Sequence, residues 1–270
     1  IMALLRSANP SIDIVIAQHS EDRAIRGTKA GLKSKQQKMP IEDFHEDYGH
    51  LGCSGKGRCL ICKLVKGAAR RIFRKVDPHR ETRPGYKWHM DTVTWSDRSE
   101  QGNKYMTVIR CEACDFYVVL CHYLRSDVGQ MFLNWARTVR SDPAFHDCSY
   151  KMISVLCLDN AGEWARNSAA FNQILDELGI TPVYSCPDRK ESAALAERSV
   201  GIVEVVTKAL LMQNSLPAWW WQRCAVGAIF LLNRFPTTKL ENMAGDGDAP
   251  RPMELYSRFT YSRRQIDREL

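Results

Sequence analysis

The sequence Val155-Leu156-Cys157-Leu158-Asp159-Asn160-Ala161-Gly162-Glu163-Trp164 decides the fold. Its first four residues are apolar and favour a buried strand that ends at an acid, Asp159. A second β-rich run, Trp88-His89-Met90-Asp91-Thr92-Val93-Thr94, carries Asp91 in the same way. Glu197 lies on a long segment whose apolar residues recur at helical spacing. Two strand ends and one helix can bring these three carboxylates to one point.

A cluster of three carboxylates predicts a metal site. Carboxylates that approach one another repel, and burial removes the water that solvates them, so a divalent cation is needed to neutralise the charge. We therefore predict a site for phosphoryl chemistry built from Asp91, Asp159 and Glu197. Oxygen ligands alone favour the hard ions Mg²⁺ and Mn²⁺. Glu191 is a rival third ligand, and Glu163 is more typical of a supporting carboxylate. Each acid also has an ordinary interpretation as a turn or surface residue.

The composition bounds the class of protein. The chain has 270 residues, of which 44% are hydrophobic and 26% charged, so it can bury a substantial core. No apolar run approaches the roughly 18 residues of a membrane span and no leader is recognisable, so we expect a soluble intracellular protein without a membrane partner. Residues 1–80 hold sixteen Lys and Arg against eight Asp and Glu. This basic arm favours phosphate binding, although a solvated basic face has the same pattern.

The cysteines predict metal binding better than disulfides. Ten cysteines without a leader favour reduced thiols. Cys59-Leu60-Ile61-Cys62 has the two-residue gap with which two thiolates bind one zinc ion, and His45 and His50 precede it. We therefore predict that these four residues bind structural Zn²⁺, with Cys53 as a substitute ligand. The pair Cys111-x-x-Cys114 has no histidine nearby and is a weaker metal candidate.

The periodicity predicts an α/β domain. Strands are expected at residues 86–95, 104–110, 116–123, 151–158 and 180–186, and helices at 127–140, 168–178, 191–213 and 218–234. Ser126 or Asp127 can cap the first helix, and Gly179 stops the second. The order βββαβαβα is the ribonuclease H-like arrangement, a five-stranded mixed sheet flanked by helices. We divide the chain into a largely disordered basic linker (1–40), a zinc-binding module with a basic segment (41–80), a catalytic core (84–236) and a C-terminal extension (237–270).

Several motifs follow one another in the order found in one family. They are Asp159-Asn160-Ala161-Gly162-Glu163-Trp164, Gly179-Ile180 with Ser185 and Pro187, Ala196-Glu197-Arg198, Leu216-Pro217 with Trp220, and Asn233-Arg234-Phe235-Pro236. With the upstream histidines and cysteines, they resemble the copia-type (long terminal repeat) retrotransposon integrases, ribonuclease H-like enzymes with a DDE triad. Ala193-Ala194 stands where the family usually has Asn-Gly.

The resemblance implies a function. Asp91, Asp159 and Glu197 would be the catalytic triad that holds two Mg²⁺ or Mn²⁺ ions for 3′-end processing and strand transfer. DNA would be the partner, as element ends and as target, with the chain acting as a homo-oligomer in the nucleus. Basic side chains beside the site and in the arm would bind phosphates: Lys63, Lys66, Arg70, Arg71, Lys190 and Arg198. A ribonuclease H-type nuclease and a decayed or domesticated, non-catalytic nucleic-acid-binding protein are the alternatives.

Overall fold

The structure is a computed structural model. It describes residues 59, 61–62, 80–142, 148–158, 169–184, 190–235, 237–244 and 249–260. The predicted linker, most of the predicted zinc module and the loop that begins at Asp159 lie outside these residues. The predicted domain boundaries stay predictions.

Five strands of the described residues form one sheet. They are β1 (Lys87–Thr94), β2 (Tyr105–Cys111), β3 (Tyr117–His122), β4 (Val155–Leu158) and β5 (Thr181–Tyr184). The order across the sheet is β3-β2-β1-β4-β5. β2 pairs antiparallel with β1 and β3, whereas β4 pairs parallel with β1 and β5. The predicted mixed sheet is therefore confirmed.

The helices of the described residues cover both faces of this sheet. They are α1 (Val128–Ser141), α2 (Ala169–Leu178), α3 (Lys190–Gln213), α4 (Trp221–Arg234), α5 (Thr238–Ala244) and α6 (Pro252–Thr260). The predicted stop of α2 at Gly179 is confirmed, because Gly179 adopts φ +55°. The Ile180 N–H then donates to the Leu175 carbonyl at 2.8 Å, which satisfies a carbonyl at the end of the helix.

Alternation along the strands produces two hydrophobic cores. Trp88 and Met90 of β1 face α1 and α2, where Phe132 and Leu175 are buried. Trp95 and the β2 residue Val108 face α3 and α4 and belong to the other core. Because side chains alternate along a strand, β1 presents its even-numbered residues to one helical layer and its odd-numbered residues to the other. Asp91 therefore lies on the face that α3 and α4 cover.

Three consecutive tryptophans, Trp219, Trp220 and Trp221, lead into α4. Trp221 is fully buried and stacks on Trp95 with ring centroids 5.1 Å apart, whereas Trp219 is 45% exposed. The three neighbouring rings therefore differ in burial, and only Trp221 belongs to the core.

Two local predictions were wrong. β4 begins at Val155 and not at Lys151, because Arg140 donates to the carbonyls of Met152 and Ile153 at 3.0 and 2.7 Å and Ile153 adopts φ +53°. These two carbonyls therefore accept hydrogen bonds from the Arg140 side chain and not from a neighbouring strand. Neither candidate cap bonds α1 through its side chain; the Asp127 carboxylate instead accepts the Leu124 N–H at 2.9 Å, one turn earlier.

No helix among the described residues has both the length and the apolar character needed to cross a bilayer.

Candidate functional site

Asp91 is positioned by the middle of β1. Its register partner on β2 is Val108, which is buried in the core beneath α3 and α4. Opposite residues of an antiparallel pair project to the same face, so the Asp91 carboxylate lies on the α3 side of the sheet. The side chain is half-buried, and its Oδ1 accepts the Thr92 N–H at 2.7 Å. The prediction that this acid is on a strand is confirmed, but the prediction that it ends the strand was wrong, because Thr92 to Thr94 continue the pairing with β2.

β4 ends beside Asp91. The parallel register pairs Trp88 with Leu156 and His89 with Cys157. β4 ends at Leu158, the residue directly before Asp159 in the sequence. Leu156 and Leu158 are buried on the α1 side, so Cys157 between them faces α3. Asp159 itself, together with Glu163, lies outside the described residues.

Glu197 is carried by α3, which packs across β1, β2 and β4. Ala196 and Val200 are buried against the sheet, while Glu197 is on the exposed part of the helix surface. The predicted helix is therefore confirmed, and it lies over the strands that carry Asp91 and lead to Asp159. The approach of the three carboxylates to one another stays a prediction. The side chain of the rival Glu191 lies outside the described part of the chain.

A buried hydrogen bond that sequence reasoning missed fixes α3 on the sheet. Arg110 of β2 donates from Nη1 to Ser199 Oγ at 3.3 Å and from Nη2 to Asp115 Oδ1 at 2.8 Å. All three residues are buried. Burial lowers the pKa of Arg110, but the neighbouring negative groups outweigh it and raise the pKa above its ordinary value. Because Ser199 is two residues after Glu197, this contact sets the position of that part of α3.

A second missed cluster lies on β1 beside Asp91. His89 Nε2–H donates to Glu112 Oε2 at 2.6 Å, and Lys87 Nζ lies 2.9 Å from the same oxygen. The backbone N–H of Glu81 donates to Glu112 Oε1 at 3.0 Å. Burial raises the pKa of Glu112, but these hydrogen bonds outweigh it and lower the pKa to about 2. Glu112 is therefore an ionised acid with both oxygens engaged.

His89 completes this cluster. It is 3% exposed, and burial lowers its pKa despite the opposing effect of Glu112. Its Nδ1 is buried without a hydrogen-bond partner among the described residues. His89 is two residues before Asp91 and therefore projects to the same face of β1. Strand alternation is the one signal in the sequence that could have placed His89 beside the acid.

Part of the predicted zinc site is described. The Cys62 N–H donates to Cys59 Sγ at 3.5 Å, and both cysteines are half-buried. This contact brings the second residue of the pair back to the first sulfur, as two thiolates that share an ion require. His45, His50 and Cys53 lie outside the described residues. Within the part of the chain that the structure describes, no three His, Cys, Asp or Glu side chains form a metal-binding group.

Few of the predicted phosphate-binding residues are described. Arg198 is exposed on α3 beside Glu197, and Lys190 begins the helix, although the side chain of Lys190 is not described. The basic residues of the arm, which are Lys63, Lys66, Arg70 and Arg71, lie outside the described residues. Their contact with DNA stays a prediction.

A known polyprotein is similar to this sequence. No protein family model matches the chain. The chain is 23% identical over 227 residues to the retrovirus-related Pol polyprotein from transposon TNT 1-94 of Nicotiana tabacum. The match covers 77% of this chain but 16% of that polyprotein. The chain therefore spans a small part of the length of its curated relative.

A solved structure shares the fold. A chain of the simian T-cell lymphotropic virus intasome in complex with PP2A regulatory subunit B56 gamma matches with a TM-score of 0.51 at 16% identity, over 69% of this chain and 59% of that one. The HTLV-2 integrase catalytic core domain in complex with magnesium matches with a TM-score of 0.45 at 14% identity, over 64% and 97%. The sequence match and the shared fold confirm the resemblance predicted from the motifs.

Proposed function

Since this chain is integrase-like and has the ribonuclease H-like fold, we propose that it is a retrotransposon integrase that processes DNA 3′ ends and transfers them into target DNA. Asp91, Asp159 and Glu197 are the catalytic acids. The observation that carries the proposal is the parallel register of β1 and β4. His89 pairs with Cys157, and Asp91 and Asp159 each follow two residues later.

Strand geometry supports the meeting of the two aspartates. Residues two positions apart on a strand project to the same face. His89 and Cys157 both face α3, so the same alternation continued by two residues brings Asp159 beside Asp91 on that face. Neighbouring strands are about 4.8 Å apart, a spacing at which two carboxylates can share one cation.

The position of α3 supports Glu197 as the third acid. The helix crosses β1 and β4, and Arg110 and Ser199 hold it to the sheet two residues beyond Glu197. Exposure of Glu197 suits a residue that must meet a substrate arriving from solvent. A carboxylate that the fold had committed to an internal partner, as Glu112 is, would not be free to act in this way.

The donor set fits hard divalent cations. All three acids offer carboxylate oxygens, the ligand type that Mg²⁺ and Mn²⁺ prefer. When bound, two such ions would supply Lewis-acid stabilisation of the charge on the attacking and leaving oxygens of a phosphodiester. The three acids would hold them, and the Thr92 N–H orients the Asp91 carboxylate by its 2.7 Å hydrogen bond to Oδ1.

The substrate chemistry is two in-line displacements at phosphorus. Water first cleaves a phosphodiester near the end of the element DNA and leaves a free 3′-hydroxyl. That hydroxyl then attacks a phosphodiester of the target DNA and releases a target 3′ oxygen. No covalent bond to the protein is needed. Arg198 is exposed beside Glu197 and would bind a DNA phosphate, as would Lys190 at the start of α3.

The remaining parts of the proposal depend mainly on residues outside the described ranges. His45, His50, Cys59 and Cys62 bind a structural zinc ion, and the Cys62 N–H to Cys59 Sγ contact supports this use of the cysteine pair. The basic arm binds DNA without sequence preference. The chain acts as a homo-oligomer in the nucleus, where two element ends must be joined to one target.

A strand-transfer assay tests the proposal. Purified protein is incubated with a labelled duplex that carries an element end, a supercoiled target and Mg²⁺ or Mn²⁺. An integrase yields labelled target DNA, and the product is lost with chelator and in the Asp159→Asn variant. A plain nuclease shortens the label without joining it to the target. Equal DNA processing by the parent and Asp159→Asn would remove the catalytic proposal and favour a non-catalytic binding protein.

A further inference from the structure

The turn between β2 and β3 brings two cysteines together. Cys111 ends β2, and Cys114 lies three residues later in the turn. The Cys111 N–H donates to the Phe116 carbonyl at 2.9 Å, and the Asp115 N–H donates back to the Cys111 carbonyl at 3.1 Å. Both cysteines are fully buried, and neither is in a disulfide. Two backbone hydrogen bonds therefore fix the conformation of the turn that carries both cysteines.

The turn geometry suits a covalent link between the two sulfurs. A bond from the N–H of one residue to the carbonyl four positions earlier makes one helical turn, which places Cα atoms three residues apart at about 5 Å. Disulfides join residues whose Cα atoms are about 4.4–6.8 Å apart. The lowered pKa of the Cys111 thiol, to which a hydrogen bond from the Cys114 thiol contributes, fits side chains that face each other across this turn.

The Cys111 sulfur is surrounded by hydrogen-bond donors. The Gly85 N–H, which lies just before β1, donates to Cys111 Sγ at 3.1 Å. Burial raises the pKa of the Cys111 thiol, but hydrogen bonds from the Cys114 thiol and from nearby backbone N–H groups outweigh it and lower the pKa below its ordinary value. Burial raises the pKa of the partner Cys114. One sulfur is thus favoured as thiolate and the other as thiol.

Two other buried cysteines of the described residues, Cys121 and Cys224, lack this arrangement. Burial alone raises the pKa of Cys121 and of Cys224 to about 12, with no hydrogen bond that opposes it. Since the thiolate is the reactive form, these thiols are inert by comparison. Cys121 is seven residues after Cys114 on the same hairpin and is an internal reference for it.

We propose that Cys111 and Cys114 form a redox-active dithiol that hydrogen peroxide converts to an intramolecular disulfide. The Cys111 thiolate attacks one peroxide oxygen, the O–O bond breaks, and the other oxygen leaves as water after it takes up a proton, which gives a sulfenic acid on Cys111. Cys114 sulfur then attacks Cys111 sulfur and displaces the hydroxyl as a second water. Two thiols lose two electrons in total, and the peroxide gains them.

Two features favour this chemistry over metal binding at the pair. No third His, Cys, Asp or Glu completes a metal-binding group around it within the described ranges. In addition, the pKa of Cys111 is lowered by a hydrogen bond from the Cys114 thiol, and a metal ion shared by the two sulfurs would have to displace that thiol hydrogen. The pair and its neighbours from 111 to 119 are buried, so peroxide reaches the sulfurs only when the hairpin turn opens locally.

Oxidation has a structural consequence for β1. Cys111 sulfur is the acceptor for the Gly85 N–H, and a disulfide sulfur is a weaker acceptor than a thiolate. Gly85 adopts φ +77° and directs the chain into β1, the strand that carries Asp91. The disulfide therefore loosens the entry to this strand, so the oxidised protein should unfold at a lower temperature than the reduced protein.

Peptide mapping of the full chain tests the proposal. Reduced protein, freed of reductant, is treated with hydrogen peroxide, quenched, denatured and alkylated, and then digested with trypsin. Cleavage after Arg110 and Arg125 yields one peptide, residues 111–125, that contains Cys111, Cys114 and Cys121. We expect this peptide to lose two hydrogens and to carry one alkyl group, on Cys121. A tandem mass spectrum without fragment ions from backbone cleavage between Cys111 and Cys114 locates the disulfide.

Variants and a metal control complete the test. Cys121→Ser should form the disulfide as the parent does, and Cys114→Ser should stop at oxidised Cys111 with no disulfide. The parent decides the outcome even if a variant misfolds. Alkylation of all three cysteines to the same extent after peroxide treatment would overturn the proposal. The reduced protein is also assayed for zinc. If it contains zinc, and if Cys111 and Cys114 resist peroxide until that zinc is removed, the proposal is overturned in favour of a metal site.

Discussion

His89 of β1 and Cys157 of β4 are register partners in a parallel strand pair, and both face the α3 layer. Asp91 and Asp159 occupy the positions two residues beyond them in the sequence. We therefore expect the two acids to meet at this end of β4. We expect activity to depend on this relationship, and stability to depend on the contacts that hold α3 and β1 in place.

The loss of one of the proposed catalytic acids should abolish strand transfer. Asp91→Asn keeps the size of the side chain and the hydrogen bond from Thr92, but removes a charged ligand. Even residues that only support a metal ligand typically contribute 10–100-fold, so we expect a loss of at least about 100-fold in strand-transfer rate. Glu197→Gln should behave in the same way.

Glu204→Gln is the matched control, because Glu204 lies on α3 as Glu197 does and pairs with Lys208 at 3.3 Å on the helix surface. Its rate should stay within about twofold of the parent, since surface pairs of this kind contribute little. A similar loss in Glu204→Gln and Glu197→Gln would show that the helix, and not the catalytic carboxylate, is sensitive to lost charge.

Removal of Arg110 should destabilise the fold. Arg110→Met leaves the Asp115 carboxylate, which is 1% exposed, without its closest cationic partner and breaks the contact to Ser199. Loss of one partner of a buried pair costs about 3–5 kcal/mol, and we expect the lower end because Lys239 lies 3.6 Å from the same oxygen. Urea unfolding measures the change.

Arg137→Met is the control for Arg110→Met, because the Arg137 side chain is 55% exposed and its ion pair with Glu177 is on the surface. The free energy of unfolding should change by no more than about 0.5 kcal/mol. Equal destabilisation by the two substitutions would mean that the buried contact does not hold α3 on the sheet.

The stability of the fold should decrease in acid because of Glu112. The pKa of Glu112 is lowered from 4.5 to about 2 in the folded state. Its stabilisation is therefore complete above pH 4.5, is lost as the pH falls towards 2, and amounts to about 3 kcal/mol. The lowered pKa of His89 acts in the same direction below its ordinary value of 6.5, because the unfolded state then binds the proton more readily.

Urea unfolding at several pH values checks this prediction. Glu112→Gln should be less stable than the parent at neutral pH, and its stability should depend less on pH between about 5 and 3. Parallel curves for the parent and Glu112→Gln across that interval would contradict the assignment of the acid dependence to this carboxylate.

Two glycines should respond to alanine with opposite signs. Gly179→Ala places a side chain at φ +55°, and its Cβ would lie 2.9 Å from Lys151 Nζ, so we expect a loss of about 1–2 kcal/mol. Gly201 lies in the middle of α3 with open space where a Cβ would project, and Gly201→Ala should stabilise the fold by about 0.5–1 kcal/mol. Thermal unfolding distinguishes them, and the same sign for both would contradict the conformational argument.

Local patterns predicted the elements, but not the contacts between them. Alternating apolar residues located β1, and Gly179 located the end of α2, because each depends on neighbours in the sequence. The length of β4 was wrong because Arg140, more than ten residues away, takes up the carbonyls that precede the strand. Tertiary hydrogen bonds of this kind leave no periodic signal.

The candidate site was predictable to a similar extent. The sequence placed Asp91 on a strand and Glu197 on a helix, and it ended β4 at the residue before Asp159. It did not indicate that Glu112 would form a hydrogen bond with His89 and an ion pair with Lys87, because these contacts depend on the register between β1 and the end of β2. Pairing in space, and not local composition, distinguishes an acid held by the fold from one that is available to a substrate.

Iron-mediated cleavage of the protein backbone tests most directly whether the three acids share one cation site. Fe²⁺ replaces Mg²⁺ at oxygen-rich sites, and with peroxide or ascorbate it cuts the chain close to where it is bound. We predict cuts in three regions, near residues 91, 159 and 197, that are suppressed by excess Mg²⁺ and lost in Asp159→Asn. Cuts near one acid alone, or cuts that persist in Asp159→Asn, would contradict a shared site.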